Sequence, residues 1–577
     1  MLTVRARQFK GEPKRTADPK EGTMQGLMMN VPLMISSLLW HADRDHGDTE
    51  IVSRTIEGPI HRYTYSDAHM RSRRLARALQ RLRIGTGDRV GTLAWNGYRH
   101  FELYYGVSGM GAIVHTINPR LFLEQLAYIV NHAEDRLVFF DLSFTALVEK
   151  LVPLCKGVEG WVALTDRAHM PVSSAAPTFS CYEDLLDAED DDYEWPTFDE
   201  NTASGLCYTS GTTGNPKGVL FSHRSTILHA FATCLPDAKG YSAQSVVLPI
   251  VPMFHVNAWG IPYSAPMVGA KIVFPGCGLD GKNLYEMFER ERVTSSAGVP
   301  TVWAGLLAYM KANDLKFSTL EVTTIGGAAC PAAMMQTLRD DFGIRVMHGW
   351  GMTEMSPVGT IGSPKAKHRD MPADDRFRLG LKQGRPLYGV DMKIVDAEGL
   401  ELPRDGKSAG NILVKGPWVL REYFRNEGGD PLTPDGWMPT GDVGTLDADG
   451  YLQITDRSKD MIKSGGEWIS SIELENIAVG HPAVAEAAVI GVRHPKWDER
   501  PLLFVVRKQG VALTREAMLE FYCGKTAKWW IPDDVIFVDE LPHTATGKLS
   551  KRTLREQYRD HALPTVRSAT RSQTTEH

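Results

Sequence analysis

The sequence predicts an α/β protein of more than one domain, and three observations carry that expectation. Short apolar runs alternate with helical patterns over residues 88–141 and again over 246–342, the rhythm of parallel βαβ layers. From about residue 385 the texture changes to short strands separated by Gly and Asp-Gly turns. A chain of 577 residues that is 43% hydrophobic and 23% charged is also folded and too long for one core.

In chain order, residues 90–95, 113–117 and 137–141 read as strands, with helices over 101–111 and 123–131 between them. The acidic stretch 187–194, ending at Trp195-Pro196, reads as a solvated loop separating two α/β halves. Strands are expected over 246–250 and 271–275, and helices over 284–292 and 331–342, the last opening on Pro331, which suits a helix start. Strands over 391–395, 411–415 and 451–455 lead into the polar run Asp456-Arg457-Ser458-Lys459-Asp460. Beyond it come a helix over 472–479, strands over 487–492 and 502–506, and a helix from Thr514, with no fixed-period repeat anywhere.

Composition excludes several function classes. Sixty-four Lys+Arg against 70 Asp+Glu leave a net charge of -6, a poor footprint for gripping a phosphate backbone, so no nucleic-acid partner is expected. No apolar run approaches the roughly 18 to 20 residues of a membrane helix. Residues 1–23 are basic but lack an apolar core and carry Glu12, Asp18 and Glu21, so they read as a disordered leader, with folding expected from Met24 and a cytoplasmic location. The 7 cysteines are scattered without a C-x-x-C pair and the 18 histidines form no ligand pattern, so neither disulfides nor a transition metal is implied.

The sharpest local signal is Tyr208-Thr209-Ser210-Gly211-Thr212-Thr213-Gly214-Asn215-Pro216-Lys217-Gly218. Its glycines, hydroxyls and lysine can wrap phosphate oxygens with backbone N–H groups, O–H groups and an ammonium. Pro216 and Gly218 stand where a Walker A loop needs Gly and Ser/Thr, so it is not one. Gly406-Lys407-Ser408-Ala409-Gly410 matches the nucleophile-elbow pattern but precedes a strand, which makes it a turn. Gly109-Met110-Gly111 lacks the third glycine of a dinucleotide fingerprint.

Five further blocks follow that loop in order: His348-Gly349-Trp350-Gly351-Met352-Thr353-Glu354, Thr440-Gly441-Asp442, the run 456–460, Gly465-Gly466-Glu467, and Pro542-His543-Thr544-Ala545-Thr546-Gly547-Lys548. The set resembles the adenylate-forming superfamily over residues 25–560. Pro252-Met253-Phe254-His255-Val256-Asn257-Ala258-Trp259 and Gly298-Val299-Pro300-Thr301-Val302-Trp303 are similar to the medium- and long-chain fatty acyl-CoA synthetases and the related methylmercaptopropionate-CoA ligases.

The resemblance implies a large N-terminal adenylation domain of βαβ layers with a small β-barrel-like subdomain (24–455), a hinge (456–461) and a small mobile C-terminal α+β domain (462–577). It implies an acid, ATP and CoA converted to acyl-CoA, AMP and pyrophosphate, with Mg²⁺ on the phosphates. The implied catalytic set is Lys548, the adenylation lysine, with Glu354, Thr209 and His255, of which Glu354 and Thr209 would hold the metal. Thr209, Ser210, Gly211, Thr212, Thr213 and Lys217 would wrap the phosphates. Trp350 stands where the family stacks Tyr on adenine, within His348, Gly349, Gly351, Met352 and Thr353, and Gly327, Ala328 and Ala329 line the opposite side. Asp442 and Arg457 would take the ribose, with Lys459 nearby. Val256 and Trp259 would lie at the acyl pocket, where His255 is equally a gate or a packed aromatic. Lys463, Gly465, Gly466 and Trp468 would meet pantetheine after the small domain turns.

Several readings stay open. The acid is a medium- or long-chain fatty acid, or a short sulfur-bearing acid such as 3-methylmercaptopropionate if Trp259, Trp303 and Trp468 shorten the pocket. A luciferase-like oxygenase, a carrier-protein adenylation module and a non-enzymatic nucleotide-binding regulator are the remoter alternatives. A homodimer is the candidate assembly.

Overall fold

The computed structural model describes residues 24, 26–172, 179–209, 215–465, 467–543 and 549–564, with the side chains of 467 and 468 excepted. Among these residues the strands form four sheets. One runs in the order Ser180–Cys181, Gly160–Ala163, Asp135–Phe140, Arg89–Leu93, Ile113–Thr116, Ala203–Tyr208, Gly218–Ser222. It is parallel except at its last pair, an antiparallel hairpin whose connection is the glycine-rich loop. The helices expected between its strands are Tyr98–Gly109 and Leu123–Ala133. The leader expected over 1–23 lies outside the described residues.

A second sheet runs Arg385–Pro386, Val358–Ile361, Arg345–Gly351, Val322–Ile325, Ser295–Gly298, Val246–Pro249, Lys271–Phe274, Glu50–Arg54, Ile60–Thr64. Its helices include Gly281–Arg290 and Ala332–Asp340, before which Pro331 takes the N-cap place. The hairpin Glu50–Thr64 corrects the expectation of two consecutive halves. It crosses to pair in parallel with Lys271–Phe274, held by Lys271 on Glu50 at 2.8 Å and by Tyr65 O–H donating to Ala270 O at 2.6 Å.

The acidic stretch is the exposed loop expected, but it straps onto a helix and lies between two strands of the first sheet, not between two halves. Helix Tyr65–Arg81 starts on a capping box between Thr64 and Asp67 and carries arginines four apart. Arg73, Arg77 and Arg81 meet Asp191, Asp190 and Glu189 at 3.0, 2.8 and 2.5 Å. Such exposed pairs are each worth about 0–1 kcal/mol, so the apolar anchor matters more. That anchor is Trp195, whose indole N–H donates to His69 Nε2 at 2.8 Å while its ring packs on Gly109.

Asp391–Val395, Gly410–Lys415, Met438–Leu446 and Leu452–Arg457 form an antiparallel meander, the small β subdomain. The turn before its second strand is an Asx turn, with Asp405 Oδ1 accepting from the N–H groups of Lys407 and Ser408. Its last strand runs two residues past the expected end, because Arg457 pairs with Asp442 across the ladder.

The C-terminal part is α+β. Val484–His494 and Asp498–Arg507 pair over their length, Asp534–Val538 adds in parallel, and helices Ser471–Val479, Arg515–Phe521 and Lys551–Gln557 accompany them. Buried Leu474, Val489, Leu503, Met518 and Tyr522 share its core. The junction with the meander is polar and buried: Asp456 Oδ2 accepts from Ser471 N–H at 2.6 Å and from its hydroxyl at 2.5 Å, and Lys551 Nζ reaches Ser471 Oγ at 2.5 Å and Glu475 at 2.8 Å. Burial pushes the Asp456 and Glu475 carboxyls up, opposed by the Lys551 ammonium. No helix among the described residues is long and apolar enough to cross a membrane.

Candidate active site

A cavity of about 500 Å³ opens where the strands of both sheets end and the β subdomain closes over them. Ligands of α/β folds bind beyond the carboxyl ends of strands. Thr209 follows Ala203–Tyr208, Gly327 follows Val322–Ile325, and Trp350 and Gly351 end Arg345–Gly351, so three strand ends deliver residues to one place.

Trp350 and Asp442 form the first part of the site. The buried indole N–H donates to Asp442 Oδ2 at 2.8 Å, and Arg457 Nε stands 3.3 Å from Oδ1. The indole therefore ties a flat aromatic face, suited to a nucleobase, to a carboxylate that retains acceptor capacity for a diol. Lys459 also lines the cavity, its ammonium held below the usual lysine range by burial and by Arg457, Arg555 and Arg552.

Glu354, Tyr423 and Lys217 form the second part. Glu354 follows the strand end on a short 3₁₀ turn, Thr353–Met355, and is buried, with Oε1 accepting from Tyr423 O–H at 2.9 Å. Burial and that carboxylate push the Tyr423 phenol up, so it stays a donor. Lys217 Nζ lies 4.7 Å from the Tyr423 ring centroid and against Gly428, where a Cβ would meet it at 2.4 Å. The mouth of the glycine-rich loop is closed by Thr209 N–H on Lys217 O at 2.9 Å and Lys217 N–H on Thr209 Oγ1 at 3.1 Å.

The third part is Val256–Gly260, a turn of the wrong hand. Val256, Asn257, Ala258 and Trp259 have φ of 39°, 57°, 46° and 55°, and Gly260 follows at 78°. Left-handed helix costs a non-glycine residue roughly 1–2 kcal/mol, so the surroundings must hold the run. Tyr104 O–H contributes, lying 2.7 Å from Met253 O and 3.1 Å from Asn257 Oδ1. His255, Val256 and Trp259 line the cavity, and Trp259 closes on Gly326, where a Cβ would stand 3.5 Å from the indole and 2.7 Å from Gly349 O.

Of the other residues singled out from the sequence, Gly349, Met352 and Thr353 line the cavity, while Ala328 and Ala329 do not. His348 faces away, into the fold. Its Nδ1 meets Leu381 O at 2.8 Å and its Nε2 accepts from Cys330 N–H at 3.4 Å, and burial lowers its pKa, consistent with a neutral ring. Trp303 is fully buried against Phe288 and Phe317 in the core, so it cannot shorten a pocket. Lys463 and Gly465 lie off the cavity in the small domain, where Gly465 N–H donates to Trp497 O at 2.8 Å. Ser210, Gly211, Thr212, Thr213, Gly466, Lys548 and the Trp468 side chain lie outside the described residues.

Sequence reasoning missed Tyr423 and Gly326. The doublet Gly326-Gly327 was a usable signal, since successive glycines allow close backbone approach. Tyr423 had none, because its reach to Glu354 spans 69 residues.

Residues 38–424 match the family model described as AMP-binding enzyme, and residues 473–548 match the AMP-binding enzyme C-terminal domain. The 3-methylmercaptopropionyl-CoA ligase of Ruegeria lacuscaerulensis is 53% identical over 537 residues, covering 93% of this chain and 99% of the relative. The medium-chain-fatty-acid–CoA ligase of Ectopseudomonas oleovorans is 50% identical over 540 residues, covering 94% and 98%. The solved anthranilate CoA ligase AuaEII in complex with anthranoyl-AMP has a TM-score of 0.81 at 25% identity, covering 92% of this chain and 98% of that one.

Proposed function

The chain belongs to the AMP-binding enzyme family, and from that premise we propose that it is an acid–CoA ligase joining a medium- or long-chain fatty acid to CoA through an acyl-AMP. A carboxylate oxygen attacks the α-phosphorus of ATP and pyrophosphate leaves; the CoA sulfur then attacks the acyl carbonyl, loses its proton, and AMP leaves. The observation that carries this reading is one cavity holding Trp350 and Asp442 for a nucleoside, Lys217 and Thr209 for phosphates, and Trp259 beside them.

The first step brings two anions together, so preorganised positive charge must offset their repulsion. Lys217 and Lys459 supply it from the cavity wall, and Lys548 is assigned to the α-phosphate. Glu354 and Thr209 would hold Mg²⁺: a buried carboxylate oriented by Tyr423, and a hydroxyl, are hard oxygen donors that this cation takes beside water and phosphate. Mg²⁺, when bound, neutralises charge on the phosphate oxygens. The division at 456–461 is retained as the hinge, with the small domain turning between the two steps to present Lys463 to Trp468. The buried Asp456 junction gives it a pivot. We also propose a cytoplasmic location and a homodimer, the latter supported by exposed Leu27, Met28, Met29 and Val31, an apolar surface for a second copy to cover.

A short sulfur-bearing acid is the second reading, favoured by the 53% identical 3-methylmercaptopropionyl-CoA ligase. Straight-chain acids from C2 to C18 and 3-methylmercaptopropionate, assayed by AMP release, separate the two: an optimum at methylmercaptopropionate with no turnover above C6 would overturn the fatty-acid reading.

Trp259→Ala should shift kcat/KM toward longer acids, each newly accommodated methylene being worth about 1 kcal/mol or more. If Trp259 only packs, the same change should lower stability by about 3–5 kcal/mol and all substrates in proportion. Gly466→Leu should leave acid-dependent ATP/pyrophosphate exchange nearly intact while blocking CoA use, because a side chain fills the backbone approach. Unchanged CoA kinetics would refute that path.

A further inference from the structure

Lys239 lies on the loop after helix His223–Cys234 and is 2% exposed. Among the described residues no carboxylate pairs with it. Its Nζ donates to the backbone carbonyl of Trp259 and otherwise stands 5.8 Å from the Tyr241 ring centroid. A lysine buried without a counter-ion is costly, and burial lowers this one to about 7. Charged or neutral, the amine still donates.

The acceptor explains the placement. Trp259 is the last residue before Gly260, where the chain changes hand and helix Ile261–Val268 begins. The N-cap carbonyl, that of Gly260, is the first a helix uses, so the ladder starts one residue too late for Trp259 O. Lys239 supplies the donor that this buried carbonyl lacks. The helix preceding Lys239 also sends His229 Nε2 to accept from Val358 N–H at 3.1 Å, and Val358 lines the same cavity.

We propose that Lys239 is a positioning residue for acid selectivity: by clamping the Trp259 carbonyl it fixes how far the indole closes the cavity, and so which acids fit. This rests on the reading that the cavity beside Trp259 receives the acyl chain. Lys239 touches no substrate, and acts through the left-handed turn.

Lys239→Met keeps length and apolar bulk and removes the donor. In a C4-to-C16 series read as acyl-CoA formation, it should raise the kcat/KM ratio of C12 over C4 by about tenfold, the scale of a methylene or two in an apolar pocket, with KM for ATP and CoA unchanged. In a Trp259→Ala background the same substitution should leave the ratio where it is, because no indole remains to be positioned. A proportional loss for every acid, or an equal shift in the Trp259→Ala background, would overturn the proposal. Lys239→Gln, a shorter donor, should shift the ratio in the same direction but less, and insolubility of both variants would assign Lys239 to folding and end the proposal. The unmodified enzyme separates the two readings. No acyl-CoA from any acid refutes the substrate assignment and this inference with it, whereas an active enzyme whose profile ignores Lys239 refutes this inference alone.

Discussion

Replacing Lys548 with alanine should slow acyl-adenylate formation by about 10² to 10³, the scale for losing one preorganised electrostatic donor. Thioester formation from pre-made acyl-AMP should survive, because the second step meets an already activated carbonyl and calls on a different part of the small domain. The chain on both sides of this segment belongs to the small domain: His543 pairs with Leu549 as a bridge and its imidazole meets Glu486 at 2.6 Å. Under the proposed turn of that domain, a group on it serves one step and is withdrawn for the other. Burst measurements of pyrophosphate, set against single-turnover thioester formation, read the two steps separately. Equal losses in both would make Lys548 a folding residue and remove the support for domain rotation.

Asp442→Ala should raise KM for ATP by about 10- to 100-fold, the range for a hydrogen-bonded charged group worth roughly 1.5–3 kcal/mol, with a smaller fall in kcat. Ribose contacts are made alike in ground and transition states, so their loss weakens binding more than chemistry. Asp442 also accepts from Trp350 Nε1 and pairs with Arg457, so alanine leaves a buried indole N–H without its acceptor. Asp442→Asn retains an acceptor for Trp350 and should cost less in thermal stability. A fall in kcat with KM unchanged would place Asp442 outside the nucleotide site.

Much of the fold was legible because its signals are local. Strand and helix periods repeat within a few residues, so Ile113–Thr116, Lys271–Phe274 and Asp391–Val395 emerged within a residue or so of their expected ends. Of the stations of the cavity, only the glycine-rich loop announces itself by composition; the Trp350-to-Glu354 block and Asp442 are picked out by the resemblance that the ordered set of blocks carries, each being unremarkable alone. What escaped depends on partners remote in the chain. Period alone cannot say that Glu50–Arg54 will pair with Lys271–Phe274, or that an acidic run will find arginines more than 100 residues earlier. Register decided the rest. Within one block Trp350 faces the cavity while His348 turns into the fold, and Trp303, which looked like a pocket wall, is core. The left-handed turn at Val256–Gly260 was beyond reach because four of its residues are ones that local propensity assigns elsewhere.

Arg457 stands next to Asp456, the residue that anchors the small domain, and shares Asp442 with Trp350. If the small domain turns as proposed and the nucleotide sits at Asp442, nucleotide occupancy and domain orientation are thermodynamically linked. An orientation that draws Arg457 off Asp442 alters nucleotide affinity by some factor, and by reciprocity a bound nucleotide biases the orientation equilibrium by that same factor. A ligand moves such an equilibrium only through its differential affinity for the two orientations, so ATP, acyl-AMP and AMP, which place different charge beside Arg457 and Lys459, need not favour the same one. The reaction coordinate would then carry its own conformational bias: each chemical conversion in the cavity resets the preferred orientation without any separate regulator, and departure of AMP returns the molecule to the state that admits ATP.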